Sequence, residues 1–129
     1  MTSILKNKNC LITGATGGIG KEIAKEFAKN SCNLFLTSTN NVKLLKLKNQ
    51  LKKINRNIKI EFLATDLLIK ENIQNLLNNI KEKNFSIDII VNSAGIFMIK
   101  SIQQSTIDDY EKCMNLNVKL PFILSKEFS

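Results

Sequence analysis

Between Cys10 and Gly20 the chain runs CLITGATGGIG, an apolar run that stops dead in four glycines. Ile19, Ile23, Ala24 and Phe27 then recur at helical spacing, with Lys21, Glu22, Lys25 and Glu26 on the opposite side. A short apolar run ending at a glycine is the mark of a strand buried on both faces. A strand, a glycine turn and a helix in immediate succession make a phosphate site for physical reasons. Glycines let the backbone turn sharply and approach a pyrophosphate, and the helix start offers unpaired N–H groups and the positive end of its dipole. The glycines of Thr13–Gly20 fall as TGxxxGxG and not as GxGxxG. Lys21 follows Gly20 without the spacing or the Ser/Thr of a P-loop, so nucleoside triphosphate hydrolysis is not expected.

The same unit repeats along the chain. Leu34–Thr37 reads as a strand, followed by an amphipathic, Lys-rich helix carrying Leu44, Leu45, Leu47, Leu51 and Ile54. Ile58, Ile60 and Phe62 alternate with charged residues as a third strand that ends before Asp66, and Ile73, Leu76, Leu77 and Ile80 mark a third helix. Ile87–Val91 is a fourth strand, closing on Asn92-Ser93-Ala94-Gly95. From about Thr106 one long helix is expected to the end, with Ile107, Tyr110, Met114, Val118 and Leu124 apolar and a kink at Pro121. Strands alternating with helices imply a parallel sheet with crossover helices. The fold class expected is α/β, a doubly wound parallel sheet of the Rossmann type with four strands in the order 3-2-1-4. Residues 1–129 are expected to form a single Rossmann-type domain, incomplete at its C-terminus, in a chain long enough to bury about two thirds of its unfolded surface.

Composition removes several functions. The net charge of +8 invites a nucleic-acid partner, but Arg56 is the only arginine and the lysines are spread along the chain. Arginine is the residue that forks onto phosphates and reads bases, so no nucleic-acid partner is expected. The chain has no histidine, which excludes Ser–His and Cys–His catalysis and most zinc chemistry. Cys10, Cys32 and Cys113 are odd in number and far apart, which fits a reducing compartment and no metal site. No apolar run is long enough for a signal peptide or a membrane span, so the expectation is a cytoplasmic chain without a membrane partner.

The TGxxxGIG segment resembles the cofactor-binding turn of short-chain dehydrogenases/reductases. The likeness extends further along the chain. Ala64-Thr65-Asp66-Leu67 resembles the family's Asp-bearing turn, Val91–Gly95 its NNAG segment with Ser93 in place of the second Asn, and Asn117–Phe122 the segment opening with its catalytic Asn. Four motifs in the right order cover the chain from about Lys8. The resemblance implies a nicotinamide cofactor held by Gly14, Thr16, Gly17, Gly18, Ile19, Gly20, Asp66, Leu67, Asn92, Ala94 and Gly95. Taken singly, Asp66 fits equally as a helix cap and Asn92 as a turn residue.

Cofactor choice is read about twenty residues beyond the glycines, where a carboxylate would bind the ribose 2′-OH of NAD. Thr37–Asn41 offers none there, while Ser38, Thr39 and Lys43 can donate to a 2′-phosphate, so NADP is expected over NAD. In the family a Tyr donates a proton to the carbonyl as hydride moves, a Lys four residues later lowers its pKa, a Ser orients the carbonyl, and the Asn supports a relay water. Tyr110 is followed at that spacing by Met114 and precedes the Asn segment, so it reads as a helix residue with a partly buried ring. Asn117 is the one member of the tetrad that carries over; the Ser and Tyr-x-x-x-Lys segment lie further on in the family than residue 129.

The chain is therefore expected to be the first part of an NAD(P)-dependent oxidoreductase acting on a carbonyl or alcohol, inactive alone, with strand four as an apolar edge. The alternative is a dinucleotide-binding or assembly module without catalysis. The last helix is a candidate surface for homo-oligomers. The Leu36–Asn40 segment brings the likeness nearest to beta-ketoacyl-carrier-protein reductases, which implies an acyl-carrier-bound substrate as one option.

Overall fold

The computed structural model describes residues 3–129. Four strands, β1 (Asn9–Thr13), β2 (Asn33–Ser38), β3 (Ile60–Ala64) and β4 (Ile89–Asn92), form one parallel sheet in the order β3-β2-β1-β4. Helices α1 (Gly18–Lys29), α2 (Asn41–Ile54) and α3 (Lys70–Glu82) connect them in turn. This is the expected α/β sheet in the expected order.

The side-chain alternation of the strands divides the core in two. Cys10, Ile12, Leu34 and Leu36 face α1 and α2, where Ala24, Ala28, Leu44, Leu47 and Leu51 complete one buried layer. Leu11 and Phe35, paired in register across β1 and β2, face the other way onto Leu76, Ile80, Leu120 and Leu124. Phe35 is fully buried and meets Phe85 edge to face at 5.6 Å between ring centroids. Cys10 and Cys32 are both in the first layer, and burial pushes both thiols up, Cys32 to about 11.

The N-terminal rim of the sheet is tied by side-chain amides. Asn33 Nδ2 donates to Asn9 Oδ1 at 2.9 Å, Asn9 Nδ2 donates to the Ser86 carbonyl at 2.9 Å, and the Lys59 N–H donates to Asn33 Oδ1 at 2.9 Å. Asp88 Oδ2 accepts from the Asn9 N–H at 2.9 Å. The bonds run from the start of β3 through β2 and β1 to the approach of β4. They satisfy polar groups that a parallel sheet leaves free at its rim.

The long last helix differs from the expectation in two ways. It is divided into α4 (Ile107–Met114), a π-helical turn (Asn115–Lys119) and α5 (Leu120–Glu127). Pro121 has no N–H for the carbonyl of Asn117, so the ordinary ladder loses a rung there and the turn widens. Its apolar stripe also lies mostly outside. Leu120 and Leu124 are buried, but Ile107, Tyr110, Val118 and Phe122 are all more than half exposed, and Tyr110 at 61% is not the partly buried ring expected. The start of α4 is secured by a capping box: Thr106 Oγ1 accepts from the Asp109 N–H at 3.0 Å, and Asp109 Oδ2 accepts from the Thr106 N–H at 3.0 Å. Among the described residues, no helix is long and apolar enough to cross a membrane.

Candidate cofactor cleft

Because all four strands are parallel, their C-terminal ends share one rim, and the glycine turn, the Asp66 turn and the Asn92–Gly95 segment follow directly from it. Thr13 pairs with Thr37 on one side and Asn92 on the other, and Ser38 pairs with Ala64. Beyond the rim opens a cleft of about 440 Å³. A larger hollow of about 690 Å³ lies between the C-terminal ends of α3 and α5, far along the sheet from the glycine turn.

The glycines of the turn do different jobs. Gly14 has φ of +60°, and a Cβ on it would lie 2.7 Å from both the Ala94 nitrogen and the Ser93 oxygen. That close approach seats β1 against the end of β4, where Thr13 Oγ1 accepts from the Ala94 N–H at 3.1 Å. A Cβ on Gly20 would lie 2.4 Å from the Gly14 carbonyl oxygen, so Gly20 is what lets α1 sit directly on the turn. A Cβ on Gly18 would meet nothing within 4 Å among the described residues beyond its own neighbours and helix backbone. Gly17, the N-cap of α1, provides no side-chain cap, so the helix start keeps its donors for another partner.

Of the residues expected in a cofactor site, Gly14, Thr16, Gly17, Ser38, Thr39, Asp66, Leu67, Ala94 and Gly95 line the cleft together. Gly18, Ile19, Gly20 and Asn92 do not. Gly20 is buried beneath the turn, Ile19 is 74% exposed at the first turn of α1, and Asn92 is exposed at the end of β4. Thr37, Thr65, Leu68, Ser93, Ile96 and Leu116 also line the cleft. Thr37 and Thr65 follow from strand register alone; Ile96 and Leu116 come from loop and helix segments that only the tertiary fold brings over the rim.

Asp66 is the one charged side chain in the lining. Its Oδ1 accepts from the Leu68 N–H at 3.0 Å, and its backbone carbonyl accepts from Asn72 Nδ2 and from the Ile69 N–H. It shapes the turn before α3, whose N-cap is Ile69, so Asp66 itself is not the helix cap. Thr37 Oγ1 is buried without a hydrogen-bond partner among the described residues. The rest of the lining is hydroxyls and glycine backbone on one side and Leu67, Leu68, Ile96 and Leu116 on the other. Such a surface receives a ligand with a flat apolar part and several hydroxyl or phosphate oxygens.

Asn117 sits in the π-helical turn and grips the loop after β4. Its Oδ1 accepts from the Ile96 N–H and its Nδ2 donates to the Ile96 carbonyl, both at 2.8 Å. Gly95 makes room for it, since a Cβ there would lie 3.0 Å from Asn117 Oδ1. The amide is committed at both ends to the backbone. Among the described residues, no group of three or more His, Cys, Asp or Glu side chains could hold a metal ion.

Residues 8–129 match the family model described as short chain dehydrogenase. The chain is 30% identical over 126 residues to a 3alpha-hydroxysteroid dehydrogenase of Mediterraneibacter gnavus, covering 98% of this chain and 50% of that protein. It resembles the structure of a short-chain dehydrogenase from Sphingobium yanoikuyae in complex with NADPH, with a TM-score of 0.85, 27% identity and coverage of 94% of this chain and 47% of that one. It also resembles 4-hydroxyisoleucine dehydrogenase complexed with NADH, with a TM-score of 0.81, 30% identity and coverage of 95% and 48%. The chain thus spans about half the length of these relatives. A family match over residues 8–129, on a sheet of this order with this glycine turn, establishes that the chain belongs to the short chain dehydrogenase family.

Proposed function

We propose that this chain is the cofactor-holding part of an NAD(P)-dependent oxidoreductase and that the cleft on the C-terminal rim receives the dinucleotide. The observation that carries the reading is the contrast among the glycines. Gly14 and Gly20 are glycines because protein atoms crowd them, whereas Gly18 faces open space at the uncapped start of α1. Open space at a helix N-terminus is what a pyrophosphate needs. The partnerless Thr37 hydroxyl and the hydroxyl-rich lining fit the same group.

A bound nicotinamide supplies or accepts the hydride that interconverts a carbonyl and an alcohol. The chain's own residues bind and orient. The backbone N–H groups at the start of α1 would hold the diphosphate, Thr16, Ser38 and Thr39 would offer hydroxyls to the adenosine part, and Asp66 would accept from the adenine amine beside Leu67. Ala94 and Gly95 keep the end of β4 low enough for the cofactor to pass, and Asn117 is a positioning residue that holds that segment through Ile96. Small carbonyl or alcohol compounds are the substrate class, with an acyl-carrier-bound carbonyl as one member. The exposed stripe of Ile107, Tyr110, Met114, Val118 and Phe122 fits pairing of two copies through α4 and α5. A dimer in sedimentation velocity is the expected result, and a monomer at high concentration refutes the pairing.

The direct test is a titration of the protein with NADPH and NADH, following the nicotinamide fluorescence. Saturable enhancement with at least one of them is expected, and no binding of either overturns the reading.

A further inference from the structure

The lysines run from end to end of the chain, but its net charge does not. Eight of the 19 basic residues fall within residues 27–60, a stretch with no carboxylate, and the remaining basic residues are matched in number by the 11 acidic ones. The whole +8 therefore resides in one stretch, with α2 at its centre. Leu44, Leu47 and Leu51 bury one side of that helix, and helical spacing turns Val42, Leu45, Lys46, Asn49 and Lys53 to the other side. Those five line one shallow hollow along the outer face, where Val42 is 77% exposed and Leu45 48%. Lys48 and Lys52 are engaged elsewhere: Lys48 lies 5.8 Å over the Phe62 ring, and Lys52 Nζ donates to the Ile58 carbonyl. Lys46, Lys53 and Arg56, which follows the helix, are exposed and in no ion pair among the described residues.

The chemistry of this face selects its partner. A single helix flank is convex, so what it meets is flat or yielding. A nucleic acid would call for arginine forks or for aromatic rings that stack on bases, and α2 has neither. A protein partner is set in register by charges of both signs, and this face has only one. An anionic bilayer needs no register. Its charge is diffuse, so ammonium groups on flexible stems can follow it while aliphatic side chains meet the boundary between headgroups and acyl chains. We propose that the outward face of α2, with Lys46, Lys53 and Arg56 beside Val42 and Leu45, docks the protein on an anionic lipid surface. That no helix among the described residues can cross a membrane bears on spanning a bilayer, not on lying against one. The face shares no residue with the cleft lining, so the contact holds whatever the cleft binds.

The test is co-sedimentation with vesicles of phosphatidylcholine, with and without phosphatidylserine. It compares the parent protein with two variants that remove the same charge. Lys46→Gln/Lys53→Gln/Arg56→Gln clears the proposed face, and Lys70→Gln/Lys81→Gln/Lys126→Gln clears exposed lysines of α3 and α5, on the opposite side of the sheet. Circular dichroism melts check that both variants fold. A basic residue near an anionic surface strengthens binding about fivefold. The parent should therefore sediment only with the phosphatidylserine vesicles, and the α2 variant should bind them roughly a hundredfold less tightly. The second variant should lose far less, and added salt should weaken the parent's binding. No binding to the phosphatidylserine vesicles, equal binding to both kinds, or an equal loss in the two variants overturns the proposal. Duplex DNA or polyglutamate displacing the protein from the vesicles at matched charge also overturns it, and would assign the face to a nucleic acid or an acidic protein.

Discussion

Alanine at Gly14 and alanine at Gly18 should have opposite consequences, although the two residues lie four apart in the same turn. At Gly14 the new methyl would meet three backbone atoms of Ser93 and Ala94 at 2.7–2.8 Å, and the φ of +60° would have to be kept. Left-handed backbone costs a non-glycine residue about 1–2 kcal/mol, and forcing a methyl into a packed wall costs about 1–3 kcal/mol more. The sum, ~2–5 kcal/mol, is a large share of the ~5–15 kcal/mol that holds a typical domain together. With a urea m-value of about 2 kcal/mol/M, the midpoint should fall by roughly 1–2.5 M. At Gly18 the methyl enters open space at the first residue of α1, without a left-handed φ, so the midpoint should stay level or rise by up to about 1 kcal/mol in stability. What Gly18→Ala should lose is dinucleotide binding, because the methyl occupies the approach of the diphosphate. Urea melts and NADPH titrations on both variants decide the matter. A Gly14→Ala protein with the parent midpoint refutes the steric argument, and a Gly18→Ala protein that binds NADPH as the parent does refutes the placement of the diphosphate.

Two hydrogen-bonded groups give two further expected outcomes. Asn117→Ala removes both bonds to Ile96, so the backbone amide of Ile96 should exchange with solvent at least tenfold faster while amides of β1 and β2 are unaffected; unchanged exchange at Ile96 would show that packing alone holds the loop. Asp109 is held at about 2, below its ordinary 3.8, chiefly by its bond from Lys100 and then by the Thr106 N–H. A carboxyl lowered in the folded state contributes stability that is complete above its unfolded pKa and lost as pH falls through the folded value. Amide protection over Ile107–Tyr110 should therefore decline between about pH 4 and pH 2, and an Asp109→Asn variant should lack that decline; identical profiles in the two proteins would rule out Asp109 as the cause.

The order of the elements was written in the sequence because burial on both faces gives parallel strands continuous apolar runs, such as Cys10–Ile12 and Leu34–Leu36, that helical periodicity cannot imitate. The boundaries were less so. Ile58 and Ile87 are apolar enough to extend their strands, yet β3 begins at Ile60 and β4 at Ile89, because the rim there is closed by Lys59, Asn33, Asn9 and Asp88. Periodicity found the apolar stripe of the last helix but not the direction it faces, since an amphipathic pattern looks the same whether its partner is the sheet or something outside. Pro121 marks the division of that helix: its missing N–H implies a kink, and the structure shows a widened turn that puts Asn117 over Ile96. In the cleft, the glycines and Asp66 carried their own signal. Ile96 and Leu116 had none, because apolar residues in a loop and on a helix become a wall only when the fold sets them side by side.

The amide bonds along the N-terminal rim give the two ends of the sheet separate fates. Asn9, Asn33 and the Lys59 backbone hold the strands level with one another through neutral groups, far from the rim where ligand charge would be read. A strand that slid by two residues would keep its alternation of apolar faces but would pull its asparagine out of the relay, so the relay acts as a ruler for strand offset. Since every cleft residue hangs from the opposite tips of the same strands, that ruler also sets the height of the glycine turn relative to Thr37, Thr65 and Ser93. The lysine-rich surface can drift in charge and the cleft can be re-lined, while the depth of the site stays fixed by side chains a full strand length away.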